Sequence, residues 1–155
     1  KYLNIKIVDI DILLSQSDIV TLHLPYCEET HHFINKEKIS KMKDGIILIN
    51  TSRGAITDTK ELIIALGNGK IHSAGLDVLE AEPLLNEEIE LLVKDFDRKD
   101  LICAIENFTL FNHPNVIITP HNAINSIESR KKIFETTEEN INSFLNGRPE
   151  NLVNV

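Results

Sequence analysis

The sequence has no tryptophan, one methionine and only two cysteines among its 155 residues. Cys27 and Cys103 stand far apart in no ligand-like spacing, which argues against a disulfide scaffold or a thiolate metal site. They read as free thiols of a reducing compartment. Basic charge is also short: 16 Lys and Arg face 24 Asp and Glu, for a net charge of −8. That disfavours nucleic acid or an anionic membrane surface as the main partner. No apolar run approaches the roughly 20 residues of a membrane span. Nothing at the start reads as a signal peptide, and there is no internal repeat or low-complexity tract. The length suits one domain. The chain starts at Lys1 and enters a strand-and-helix pattern almost at once. We therefore expect a piece of a longer, cytoplasmic protein. In that compartment the glycosylation-like triplets Asn50-Thr51-Ser52 and Asn107-Phe108-Thr109 would stay unused.

What is present alternates between strand and helix. Asp9 to Gln16 reads as a short helix, and Ile19 to Leu24 as a strand stopped by Pro25. Asn35 is placed to cap a helix over Lys36 to Met42. Ile46-Ile47-Leu48-Ile49 is a continuous apolar run, the pattern of a strand buried on both faces. Asp58 caps a helix to about Leu66, closed by Gly67, and Ser73 to Val78 is the next strand. Leu84 to Phe111 is an acidic insertion with one helix expected near Asn86 to Asp95. Val116-Ile117-Ile118 is another strand. A long helix follows from about Ser126 to Leu145, and the tail bearing Leu152, Val153 and Val155 must pack on something. Strands separated by helices imply an α/β fold with a parallel sheet and right-handed crossovers.

In such a sheet, ligands sit beyond the carboxyl ends of the strands. Three strand ends here carry chemistry. Asn50-Thr51-Ser52-Arg53-Gly54 offers small polar residues, an arginine and a glycine for a tight turn. An arginine can grip a carboxylate through two parallel hydrogen bonds. Gly75 to Pro83 includes Asp77 and Glu82, and Thr119-Pro120 leads to His121. A histidine can move a proton near neutral pH, helped by a nearby carboxylate. Taken singly, each has a plain reading: an ordinary turn with a surface arginine, a solvated acidic loop, a structural histidine. Together they fall at equivalent points of one fold, and they suit the interconversion of a 2-hydroxy acid and a 2-oxo acid. His31-His32 beside Glu28-Glu29 lacks a partner at metal-ligand spacing. Gly67-Asn68-Gly69 follows a helix, not a strand, and reads as a helix cap rather than a phosphate loop.

These segments, in this order, resemble the D-isomer-specific 2-hydroxyacid dehydrogenase family. The resemblance runs from about Ser17 to Ala123 and more weakly to the end. It implies that Arg53 binds the substrate carboxylate and polarises the carbonyl. It makes His121 the acid/base, with Glu82 hydrogen-bonded to it and favouring its protonated form. It also implies that Leu24, Pro25, Thr30, Thr51, Ser52 and Asp77 line an NAD site. The expected partner is a small 2-oxo or 2-hydroxy acid, and the full-length protein is expected to be a homodimer. The long stretch between Glu82 and His121 resembles the D-lactate-like branch. That branch has aromatics soon after the histidine, where Ile124 and Asn125 stand here. A branched or larger 2-oxo acid therefore stays as open as pyruvate. A dinucleotide-sensing, corepressor-like protein on the same scaffold is the alternative.

The family's Gly-x-Gly-x-x-Gly turn, which seats the pyrophosphate at a helix N-terminus, does not occur in this sequence. The expectation is a partial Rossmann-type doubly wound sheet lacking its first βαβ unit, inactive alone. Residues 1–125 would be the partial NAD-binding domain. Residues 126–155 would be a return helix and tail that pack on a substrate domain.

Overall fold

The computed structural model describes residues 5–80 and 98–152. The chain divides into two compact units, Lys1–His121 and Asn122–Val155.

In the first unit, four strands form one parallel sheet in the order β1-β2-β3-β4. They are β1 (Ile19–Leu22), β2 (Ile46–Asn50), β3 (Ile71–Leu76) and β4 (Val116–Ile118). Helices α1 (Ile10–Gln16), α2 (Lys36–Lys41), α3 (Thr59–Gly67) and α4 (Arg98–Phe111) precede or join them. Parallel neighbours need crossover connections, and here each carries helix. Short polar side chains start the helices as their local chemistry dictates. Asp9, Asn35 and Asp58 each accept a backbone N–H of the first turn of α1, α2 and α3. One apolar core, including Leu14, Ile34, Leu48, Ile56, Leu62 and Ile71, lies on the sheet and its helices.

Three expectations need adjusting. β1 stops at Leu22, not Leu24, because its register partner Asn50 is the last residue of β2. β3 begins at Ile71 and ends at Leu76, since Ile71 already pairs with Ile46 across a register shift. β2 is not equally covered on its two faces: Ile46, Leu48 and Asn50 are buried, whereas Ile47 and Ile49 are half-buried. The helix expected near Asn86 to Asp95 lies outside the described residues. A helix the sequence reading did not separate from the acidic insertion, α4, buries only Asn107 and Leu110, so its periodic signal is weak.

The second unit is built on α5 (Ile127–Leu145), capped by the Ser126 hydroxyl, which accepts from the Ser129 N–H. Gly147 closes it at φ 68°. No residue of α5 is buried, and Phe134, Phe144 and Leu152 are exposed. No helix among the described residues is long and apolar enough to cross a membrane.

Candidate active site

The strand register fixes where the functional side chains start. Leu22 pairs with Asn50, Asn50 with Leu76, and Leu76 with Ile118, so the four strand ends lie level. Neighbouring strands are about 4.8 Å apart. Arg53 is the third residue past the end of β2, and His121 the third past the end of β4. Asp77 directly follows β3 between them. Two positively charged or proton-carrying groups thus leave the sheet at one height, one strand to either side of a carboxylate.

The Arg53 turn is built from Asn50. This residue is 1% exposed, and its Nδ2 donates to the Arg53 carbonyl at 2.9 Å. Its Oδ1 accepts the Ser52 N–H at 3.0 Å. The Ser52 N–H is therefore used inside the turn rather than offered to a ligand. Ser52 Oγ donates to Leu22 O at 2.6 Å, which ties the exit of β2 to that of β1. Arg53 itself is exposed and donates from Nη1 to Ser52 O at 2.6 Å. Gly54 serves close approach rather than an unusual φ. A Cβ there would lie 2.0 Å from both C and O of Leu79.

The β3 and β4 exits are joined in the same way. The Asp77 N–H donates to Asn50 O at 2.9 Å, and the Thr119 N–H to Leu76 O at 3.0 Å. The Thr119 hydroxyl donates to the Asp77 carboxylate, which is 4% exposed. The His121 N–H then closes onto Thr119 O at 3.0 Å. His121 is exposed and sits at φ 50°. Few non-glycine residues adopt that left-handed region, and those that do cluster at functional sites.

Past β1 and β2, His23, Leu24, Pro25, Tyr26, Ser52 and Arg53 line a groove of about 700 Å³. Its lining combines apolar Leu24 and Pro25 with the polar Arg53 turn. Thr30 shapes the loop beside it. Its Oγ1 donates to Pro25 O at 2.8 Å and accepts the Cys27 N–H at 2.8 Å. Both cysteines are free thiols. Burial, with the charges of Glu80, Glu106 and Asp100 adding, pushes the Cys103 thiol up to about 11, so it is a poor nucleophile at neutral pH.

Comparison with known proteins shows the family. Residues 1–123 match the family described as D-isomer specific 2-hydroxyacid dehydrogenase, NAD binding domain. The chain belongs to this family. A hydroxypyruvate reductase of Blautia hydrogenotrophica is 39% identical over 97% of this chain and 41% of its own length. A D-specific alpha-keto acid dehydrogenase of Enterococcus faecalis is 44% identical over 90% of this chain and 40% of its own. The crystal structure of D-lactate dehydrogenase from Aquifex aeolicus, complexed with NAD and lactic acid, is 41% identical with a TM-score of 0.73. It covers 91% of this chain, which in turn covers 41% of that one. The chain thus spans about two fifths of the length of these relatives. The cofactor of this domain is NAD.

Within the dehydrogenase fold, the structure gathers Leu24, Pro25, Ser52 and Arg53 on one groove. Thr51 is half-buried between Asn50 and Ser52. Asp77 and His121 are joined through Thr119. Glu82 lies outside the described residues. Sequence reasoning passed over Asn50 as an organiser, although an asparagine ending an apolar strand was a signal for it. It weighed His32 only as a metal ligand and gave no role to Glu80 or Asn107, whose partners are distant in sequence.

Proposed function

We propose that the whole protein is an NAD-dependent dehydrogenase that interconverts a D-2-hydroxy acid and its 2-oxo acid. The observation that carries this reading is the level register of the strand ends, which presents Arg53, Asp77 and His121 along one edge. When bound, NADH supplies the hydride to the substrate C2. Arg53 holds the substrate carboxylate. A guanidinium has five N–H donors, so its bond to Ser52 O leaves enough for a bidentate grip. His121 delivers the proton to the carbonyl oxygen during reduction and takes it back during oxidation. Glu82 favours the protonated imidazole. Leu24 and Pro25 give the nicotinamide an apolar seat, with Thr30, Thr51, Ser52 and Asp77 shaping its surroundings. We read residues 126–155 as a return helix and tail that pack on a substrate domain in a cytoplasmic homodimer. With no Gly-x-Gly-x-x-Gly turn of its own, the isolated chain is expected to be inactive.

The experiment is NADH oxidation by the whole protein with pyruvate, branched 2-oxo acids, hydroxypyruvate and glyoxylate. Turnover with at least one supports the reading, and none with any of them rejects it. A D-lactate-like or branched substrate is our choice among these.

Two substitutions probe the assigned roles. Lysine keeps the charge at position 53 but loses the planar fork. Arg53→Lys is expected to raise KM for the 2-oxo acid and lower kcat, each by about tenfold. Kinetics like wild type would place the carboxylate elsewhere. Glu82→Gln removes a negative charge that favours protonated His121. Reduction needs the protonated form, so the high-pH limb of kcat for reduction should move to lower pH. A limb that stays in place would remove Glu82 from the mechanism.

A further inference from the structure

His32 and Glu80 make a contact that the proposed chemistry does not use. His32 Nε2 lies 2.8 Å from Glu80 Oε1, although 48 residues separate the two. Thr59 Oγ1, at the start of α3, donates to Glu80 Oε2 at 2.8 Å. The main chain of Glu80 is held too, because Asn107 Nδ2 of α4 donates to Glu80 O at 2.8 Å. The side chains of His32 and Glu80 are 33% and 22% exposed, so solvent screens this pair less than an open surface pair.

The backbone around the contact is equally constrained. His32 sits at φ 47°, and its N–H donates to Ala55 O at 2.8 Å. Ile34 and Thr57 form a parallel bridge. The stretch 32–34 is thereby stapled to the turn that follows Arg53. Gly54 of that turn rests against the Leu79–Glu80 peptide. Three segments meet here: the loop after β1, the Arg53 turn after β2, and the exit of β3.

Resting on the dehydrogenase reading, we propose that Glu80 is a positioning residue. Gripped by His32 and Thr59, it fixes the exit of β3 against the other two loops. Glu82 follows two residues later in the chain, so the anchor sets where the segment bearing it departs. Misplacing a catalytic group by about 1 Å can cost on the order of 10²-fold in rate. The surrounding charges are Asp58, whose Oδ2 is 3.7 Å from His32 Nδ1, together with Glu106, Lys60 and Asp100. Burial, with Glu80 and Asp58 adding, holds the Glu106 carboxyl above the usual carboxylate range.

The test uses the whole protein and compares Glu80→Ala, Glu80→Gln, His32→Ala and the double alanine variant with wild type. Glu80→Ala should lower kcat for 2-oxo acid reduction by about tenfold or more and move its high-pH limb to lower pH. KM for NADH should stay within about threefold. Glutamine keeps one oxygen to accept from His32, and its amide can donate to the Thr59 hydroxyl oxygen, so Glu80→Gln should recover kcat to within about threefold. The double alanine variant should be no worse than the more impaired single variant, because both changes break one contact. If Glu80→Ala does not fold, His32→Ala carries the same comparison. A kcat and pH limb within about twofold of wild type for Glu80→Ala and His32→Ala overturns the proposal. So does a Glu80→Gln variant as impaired as Glu80→Ala, because charge and not grip would then matter. Loss of turnover in His121→Gln with none in Glu80→Ala rejects the anchor alone. A wild-type protein without turnover rejects the anchor and the dehydrogenase reading together.

Discussion

Replacing His121 with glutamine is expected to lower kcat of the whole protein by a factor on the order of 10²–10⁴, the usual range for a positioned acid/base. Glutamine can still hydrogen-bond a carbonyl oxygen but cannot deliver a proton to it. The residue is exposed, so the substitution opens no cavity in the core. The backbone bond to Thr119 O does not depend on the ring, and the φ of 50°, where His, Asn and Asp are enriched, adds only modest strain for glutamine. Fold stability and NADH affinity should therefore stay close to wild type while turnover falls. Steady-state kinetics alongside urea unfolding separate the two. A loss smaller than about fivefold would reject His121 as the proton carrier.

Gly54→Ala should be the most disruptive single-methyl change near the site. The added Cβ would lie 2.0 Å from the C and O of Leu79 and 2.4 Å from the N of Glu80. These are backbone atoms of a segment held on both sides, so they cannot swing away as a side-chain tip can. Overpacking a well-packed site costs about 1–3 kcal/mol, and a clash with backbone should reach or exceed the top of that range. The matched control is Gly67→Ala, at the end of α3, where a Cβ meets nothing within 4 Å. That variant should be neutral or slightly more stable, since alanine is favoured over glycine in helices by up to about 1 kcal/mol. Denaturant titration of both measures the contrast. A Gly54→Ala midpoint equal to that of Gly67→Ala would show that the approach of the two loops is not tight.

Elements whose cause is local were legible in the sequence. The caps at Asn35 and Asp58 work through a side chain and an N–H three residues away, so spacing alone reveals them. The four strands announced themselves as β-branched runs. Their ends did not, because β1 stops where its partner β2 stops and β3 starts where Ile46 recruits Ile71. The same division holds at the site. Arg53 and His121 were visible as chemistry placed after strands. The organising roles of Asn50, Glu80 and His32 come from bonds across loops that no local pattern encodes. Gly54 was read as a turn former, yet its lack of a side chain matters for a neighbour 25 positions away at Leu79. Helix α4 stayed hidden because it buries so few side chains that its apolar rhythm is faint.

The link between Thr119 and the end of β3 has a consequence for how such chains vary. His121 takes its height from Leu76 O and Asp77, and the start of β4 is seated on β3 by Asn115. Between Glu82 and α4, length and composition can therefore vary without carrying the histidine out of line, whereas Asn107 and Leu110 of α4 are tied to Glu80 and to the core. New sequence grafted after Glu82 and before α4 would leave the three strand ends, and the anchor on Glu80, untouched.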